Sequence, residues 1–453
     1  MPILTYTFSF LFAVLVLVLI HESGHFLVAR LFKVKVERFS IGFGKPFYTW
    51  KNKKSGTKYA LAPILLGGYV KLLDTRETKI SSPNQHLAFD HKPILQRMAI
   101  ILAGPMANII FAFFALWLMF LIGFKLPKPI IGKIIPNSIA SHANMRSGEK
   151  IITIDKHKTN NWEEVIIAML ARLGNTDYLS ITTQSSPKLE TKNYQLNLIN
   201  WNIDSYEPNP LKDFGIVRYT PPVPPIINNI SWNSPASKSG LQKNDRIISI
   251  DGQPVNNWED FIDLIKKSPE KQINLLLKRD GKTINLTTTT GWKFGPKWKK
   301  VGFLGVGSLP IAWPDQMLRE YKYTMWPAFS KAWHKTGLFV DLNKIIFDKL
   351  FTGKLSFRVL GGPISIFAAS GQALGQGFTM FLGFLAIISL SIALINLLPL
   401  PGLDGGYVIL LLIEAITHRP ISIRIQTLIL RLGIILMVTL FLQVTINDLM
   451  RFF

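Results

Sequence analysis

Residues 3–25 read ILTYTFSFLFAVLVLVLIHESGH, an apolar run that closes on His21-Glu22-Ser23-Gly24-His25. The run from Ile3 to Ile20 is long enough to cross the ~30 Å hydrocarbon core of a bilayer. Past the polar interruption, apolar character continues to Phe32. No Lys or Arg precedes Arg30, and no small-x-small cleavage site follows the run, so it reads as a retained helix rather than a cleaved signal. Three ionisable side chains at the end of such a run are costly, roughly 2.5–3.5 kcal/mol each near the bilayer centre. A purely structural role offers nothing to offset that. A metal site does.

Three more runs have the same character: Met98 to Phe124, Phe378 to Leu398 and Leu428 to Ile446. Hydrophobic residues make up 48% of the 453-residue chain and charged residues 17%, below the ~25% usual in soluble domains. The expected fold is therefore a polytopic α-helical membrane protein with about four transmembrane helices. Lys and Arg number 51 against 28 Asp and Glu. No zinc-finger spacing, RNA-binding aromatic motif or basic helix with heptads accompanies that charge, so nucleic acid is not an expected partner. Membrane lipid is, because the cations cluster beside the spans. Between the first two runs stand Arg30, Lys33, Lys35, Arg38, Lys45, Lys51, Lys53 and Lys54, with only Glu37, Asp74, Glu77 and Asp90 against them up to residue 95. The positive-inside rule puts this loop in the cytoplasm, and residues 125–377 on the other side. There are no cysteines, so any metal must be held by His, Asp or Glu.

H-E-x-x-H on a helix puts its two His on one face, where both imidazoles reach one ion. The Glu between them, Glu22, is placed to take a proton from a water that zinc has made acidic. Catalytic zinc commonly takes three protein ligands. Two residues compete for the third place. Asp404 follows the third run in Asn396-Leu397-Leu398-Pro399-Leu400-Pro401-Gly402-Leu403-Asp404-Gly405-Gly406, and Glu414 lies ten residues further on. The first and third spans cross in the same direction, and both motifs lie at the C-terminal end of their span. His21, His25 and Asp404 are therefore expected at one depth.

The middle of the chain repeats itself at an offset of 96. Asn137-Ser138-Ile139-Ala140-Ser141 matches Asn233-Ser234-Pro235-Ala236-Ser237, Ile151–Asp155 matches Ile247–Asp251, and Asn160-Asn161-Trp162-Glu163 matches Asn256-Asn257-Trp258-Glu259. Pro221, Pro222, Pro224 and Pro225 separate the copies as a stiff linker. The second copy, N-S-P-A-x-x-x-G-L-x-x-x-D-x-I-x-x-I-D-G, resembles the bacterial PDZ domain, with Asn244 where that pattern has Gly. The first copy departs further, with Asn144-Met145 in place of Gly240-Leu241. Such domains accept an extended peptide or a C-terminus along a sheet edge. Phe214-Gly215-Ile216 and Phe303-Leu304-Gly305-Val306 are the expected groove segments. Binding of peptide and simple steric filtering both remain open.

The pairing of H-E-x-x-H in the first span with N-x-x-P-x-P-x-L-D-G after the third resembles the site-2 protease family, M50-type intramembrane zinc metalloproteases. Gly104-Pro105-Met106-Ala107-Asn108 and Gly362-Pro363-Ile364-Ser365 extend the resemblance, as do two tandem PDZ-like α+β domains inserted between the second and third spans. The resemblance implies a bacterial inner-membrane enzyme, with the active site toward the cytoplasm and the PDZ-like domains in the periplasm. It implies that Zn2+ is bound by His21, His25 and Asp404, and that Glu22 is the acid/base. It implies substrates that are single-pass membrane proteins already cut outside the membrane, among them an anti-sigma factor of envelope stress signalling and remnant signal peptides. Asn396 matches a family Asn that holds the substrate strand or stabilises the oxyanion. Gly67-Gly68-Tyr69 matches a family β-hairpin that pairs with the unwound substrate.

The expected organisation is a first span carrying the motif (1–32), a cytoplasmic loop with a membrane-associated β-hairpin (33–95) and a second span (96–125). Two PDZ-like domains follow (126–221 and 222–312), then a helical segment on the outer membrane surface (313–376) with Trp326, Trp333, Lys335 and Phe339. A third span with the L-D-G motif (377–405) and a C-terminal segment with a fourth span (406–453) complete it. Two non-proteolytic readings compete, a membrane scaffold presenting PDZ domains and a zinc transporter or sensor. The first leaves the His-Glu-His cluster without a purpose. The second lacks a polar path through the remaining spans.

Overall fold

The structure is a computed structural model and describes residues 2–76, 82–185, 190–199, 201, 209–295 and 299–452. The chain forms two compact units. One comprises residues 1–124, 320–348 and 360–446; the other comprises 125–319, 349–359 and 447–453.

Among the described residues, seven α-helices organise the first unit: α1 (Pro2–Leu31), α2 (Ile94–Ile122), α3 (Met325–Phe351), α4 (Pro363–Gly375), α5 (Phe378–Asn396), α6 (Asp404–Thr417) and α7 (Ile423–Phe452). The ends of α3 and α7 run beyond it. Among the described residues, four helices are long and apolar enough to cross a membrane: α1, α2, α5 and α7. They coincide with the four apolar runs of the sequence.

The bundle is built around α2, which packs on both α1 and α5. Ala13 and Leu17 of α1 bury against Phe381 and Leu385 of α5, with Phe111 of α2 alongside. Further along, Ala29 and Ile100 close a second cluster with Val34, Val36 and Phe89. Helix α4 differs from the sequence expectation of a segment lying wholly on the membrane surface. It packs against α1 and α5: Ser9 Oγ lies 3.1 Å from Ser370 Oγ in a buried contact, and the Tyr6 and Phe367 rings meet edge-on. At 13 residues it is too short to span, yet its small residues let it enter the bundle. At the far end of α2, Phe113 and Trp117 pack on Phe329 of α3, whose neighbours Trp326 and Trp333 are exposed. Such an aromatic band suits the membrane–water interface.

The loop between α1 and α2 is richer than the expected β-hairpin. It is a four-stranded mixed sheet of β1 (Val36–Phe43), β2 (Tyr48–Lys51), β3 (Lys58–Leu61) and β4 (Ile64–Leu72), in the order β2-β3-β1-β4. β1 pairs parallel with β3 and antiparallel with β4. The parallel pair requires a crossover, which β2 supplies by turning back on β3. Buried Val36 and Phe39 anchor β1, and β4 packs on α1 at one edge of the sheet.

In the second unit the offset of 96 is a structural repeat. Each copy has a four-stranded sheet. In the first its order is 191–197, 178–184, 150–154, 157–158; in the second it is 282–289, 272–279, 246–250, 253–254. Each also has a two-stranded pair, 216–218 on 131–134 and 306–308 on 227–230. The expected groove segments thus fall where a strand begins or ends. Helix caps repeat too. Asn161 accepts from the Glu164 N–H and Asn257 from the Asp260 N–H, as Asn does best at a helix start. Pro225, the last proline between the copies, belongs to the second, since Ile247 N–H donates to its carbonyl just as Ile151 N–H donates to Pro129.

Candidate metal centre

His21 and His25 stand one turn apart on α1, their rings 4.9 Å apart and nearly perpendicular. Asp404 is the first residue of α6. The three donor atoms form an almost equilateral triangle. His21 Nε2 is 3.3 Å from His25 Nε2 and 3.3 Å from Asp404 Oδ2, and His25 Nε2 is 3.5 Å from the same oxygen. A tetrahedral zinc with bonds of about 2.0–2.1 Å has donor–donor edges of about 3.3 Å. Asp404 Oδ2 and His21 Nδ1 are buried and have no hydrogen-bond partner among the described residues. A buried carboxylate oxygen facing two imidazole nitrogens is costly unless a cation lies between them. The residues therefore fit a zinc ion by spacing, donor type and unmet valence. Among the described residues they are the group so arranged.

His25 owes its orientation to α2. Its Nδ1 lies 2.8 Å from the Ile100 carbonyl, which can only accept, so Nδ1 carries the proton and Nε2 presents its lone pair to the centre. Gly104, one turn further along α2, leaves the space that the imidazole fills. The sequence marked Gly104 only as part of a resemblance; its position under His25 depends on α2 lying between α1 and α6.

Glu22 is buried and lines the same cleft, of about 640 Å³, with His21, His25 and Asp404. Asn396, the last residue of α5, lines it too, as do Gly67, Gly68 and Tyr69 of β4. All eight residues singled out from the sequence thus meet in one cavity. Gly68 brings the backbone of β4 against Glu22: a Cβ there would stand 2.9 Å from Glu22 Cγ. Tyr69 is steadied by the Arg38 guanidinium, which donates to its hydroxyl at 3.1 Å, and by the stacked Phe43 ring.

Glu414, the competing ligand, is elsewhere. Its carboxylate takes both arms of Arg97, at 2.6 and 3.2 Å. A second arginine, Arg76, forks onto Asp74 and reaches the Tyr407 hydroxyl at 3.4 Å. Burial pushes the Asp74 carboxyl up, but hydrogen bonds and charge from Arg76, with Arg97 nearby, outweigh it and hold the group below the ordinary carboxylate range.

The model of peptidase family M50 matches residues 9–440. The chain belongs to peptidase family M50. Regulator of sigma-E protease RseP of Escherichia coli K12 is 39% identical over 443 residues, 98% of each chain. Protease RseP of Yersinia pestis is 36% identical over 452 residues, the whole of each. A relative from Vibrio cholerae named as a zinc metalloprotease is 36% identical over 445 residues, 98% of each. Among solved structures, the PDZ domain of an SdrC-like protein from Listeria monocytogenes matches 24% of this chain and all of its own, at 18% identity and a TM-score of 0.17. With four helices of spanning length, this M50 peptidase is a membrane protein.

Proposed function

We propose that the chain is a site-2-type zinc endopeptidase that hydrolyses peptide bonds inside the membrane-spanning segments of single-pass proteins. The observation that carries the reading is the triangle of His21, His25 and Asp404 beside Glu22, in a cleft among apolar helices. Zinc, when bound, supplies Lewis acidity toward water and the scissile carbonyl.

The chain's own residues do the rest. Glu22 takes the proton of the attacking water and returns it to the leaving amine. Its burial strengthens its interaction with the charge that develops there. The edge of β4 at Gly67, Gly68 and Tyr69 receives the substrate as an added strand, which holds its peptide bonds open instead of wound in a helix. Asn396 steadies that strand or the developing oxyanion.

The two repeats act as tandem PDZ-like domains, inserted between the second and third spans and lying in the periplasm. They either take a peptide terminus in the grooves at Phe214–Ile216 and Phe303–Val306 or exclude bulky substrates. The basic loop of residues 30–95 supports an inner-membrane protein with its active site toward the cytoplasm. Substrates are proteins already trimmed outside the membrane, an anti-sigma factor and remnant signal peptides among them.

The test is cleavage of a trimmed single-pass substrate by the purified chain and by Glu22→Gln, in detergent with zinc. Cleavage by the unaltered chain alone is expected. Equal cleavage by both would remove Glu22 as the acid/base.

A further inference from the structure

We infer that Arg97 and Glu414 are positioning residues: their ion pair sets the register of α6 along α2 and so holds Asp404 at the right distance from His25. The inference rests on the zinc reading above.

Both ends of the relationship are carried by α2. Arg97, near its start, grips Glu414 late in α6. Ile100 and Gly104, further along, seat His25, which faces Asp404 at the very start of α6. The two helices therefore run antiparallel and are tied at two levels. A one-residue slide of α6 is about 1.5 Å. Metal sites tolerate about 0.2 Å in ligand distance. Two parallel bonds from a planar guanidinium to a carboxylate resist such a slide better than apolar contacts, which have no fixed register.

Stability alone does not account for the pair. The Arg97 side chain is 6% exposed and that of Glu414 16%. A buried ion pair typically contributes no more than well-packed apolar residues of the same volume. Here the balance is worse, because Arg97 Nε is buried with no partner among the described residues. Setting register is the best-attested use of such a costly pair. Arg76 on Tyr407, one turn into α6, adds a second and longer contact.

The experiment uses the full chain in detergent and three variants: Glu414→Gln, the double Arg97→Met with Glu414→Met, and the reversal Arg97→Glu with Glu414→Arg. Zinc affinity is read by competition with a chromogenic chelator, and folding by the thermal midpoint of the zinc-free protein. Glu414→Gln and the double Met variant are expected to bind zinc at least ~10-fold more weakly, as loss of outer-shell support does elsewhere. The zinc-free double Met variant should melt no lower than the unaltered chain, and the reversal should recover most of the lost affinity. Zinc affinity that merely tracks the zinc-free midpoint across the series would overturn the inference, as would tight binding by the double Met variant. Failure of the unaltered chain to hold zinc would overturn the metal reading itself.

Discussion

A methyl group on Gly104 would stand 2.2 Å from His25 Nε2, closer than any carbon can sit. The helix that crosses between the two halves of the metal site thus carries a hole shaped for an imidazole. Gly104→Ala sets two effects against each other. Helix propensity favours Ala by about 1 kcal/mol, while displacing His25 removes a ligand. The expected result is a zinc-free protein within about 1–3 kcal/mol of the original stability that binds zinc at least ~10-fold more weakly. Equilibrium dialysis against a zinc buffer checks it. Undiminished affinity would show that His25 does not need that space.

Gly68→Val probes the other wall of the cleft. Its Cβ would meet Glu22 Cγ at 2.9 Å and the Ser40 carbonyl oxygen at 2.6 Å, and the second atom is backbone that cannot turn away. β4 must therefore shift relative to α1. Zinc content should be unchanged, since the atoms nearest a Cβ at Gly68 belong to Ser40, Glu22 and Val18 and not to a ligand. Turnover should fall by about 10²-fold, the cost of misplacing a reacting group by an ångström. Parallel loss of zinc would mean that the sheet supports the ligands and not the proton transfer.

These contacts also mark where the sequence stops being legible. The H-E-x-x-H face and the L-D-G-G turn are local patterns, and the repeat announces itself by a constant offset. The four apolar runs needed only a length count. Arg97 and Glu414 are 317 residues apart, and no periodicity links them. Glu414 looked like a ligand because its partner could not be seen. β4 was readable as a Gly-Gly-Tyr segment, but its place in a four-stranded mixed sheet depends on a crossover through β2 that no short-range signal encodes. Helix α4 falls in a segment readable as helical; its entry into the bundle depends on Ser370 and Gly371 meeting Ser9 and Tyr6 of α1.

In the second repeat, Asp245 is fully buried and takes two bonds from Arg279, both at 2.7 Å. Arg279→Met should leave that carboxylate buried without its counter-charge, with the Gln242 N–H still donating to it, and destabilise the repeat by about 3–5 kcal/mol. In the first repeat Glu149 holds the same place, bonded to the Thr183 and Tyr194 hydroxyls at 2.7 and 3.0 Å. Thr183→Val removes one neutral donor and should cost about 1 kcal/mol. Hydrogen exchange of strands 246–250 and 150–154 separates the two. Equal loss of protection would mean the arginine is not paired as described.

Size exclusion by the repeats has its own test. Deleting residues 128–310 should let the chain cleave a substrate that still carries its outer domain. Persistence of the untrimmed substrate would leave the repeats with a peptide-binding task instead.

The unlike partners of Glu149 and Asp245 bear on how the chain assembles as it is made. Two neighbouring copies of one design invite strand exchange while both are half-folded. A strand 272–279 delivered to the first copy would bring Arg279 to the place of Thr183, where the Glu149 carboxylate gives it a counter-charge. The opposite exchange would leave Asp245 sealed in with a hydroxyl and no counter-charge. Asp245 thus works as a checksum on the second copy. A second copy built with the first copy's strand is penalised by several kcal/mol at that buried acid.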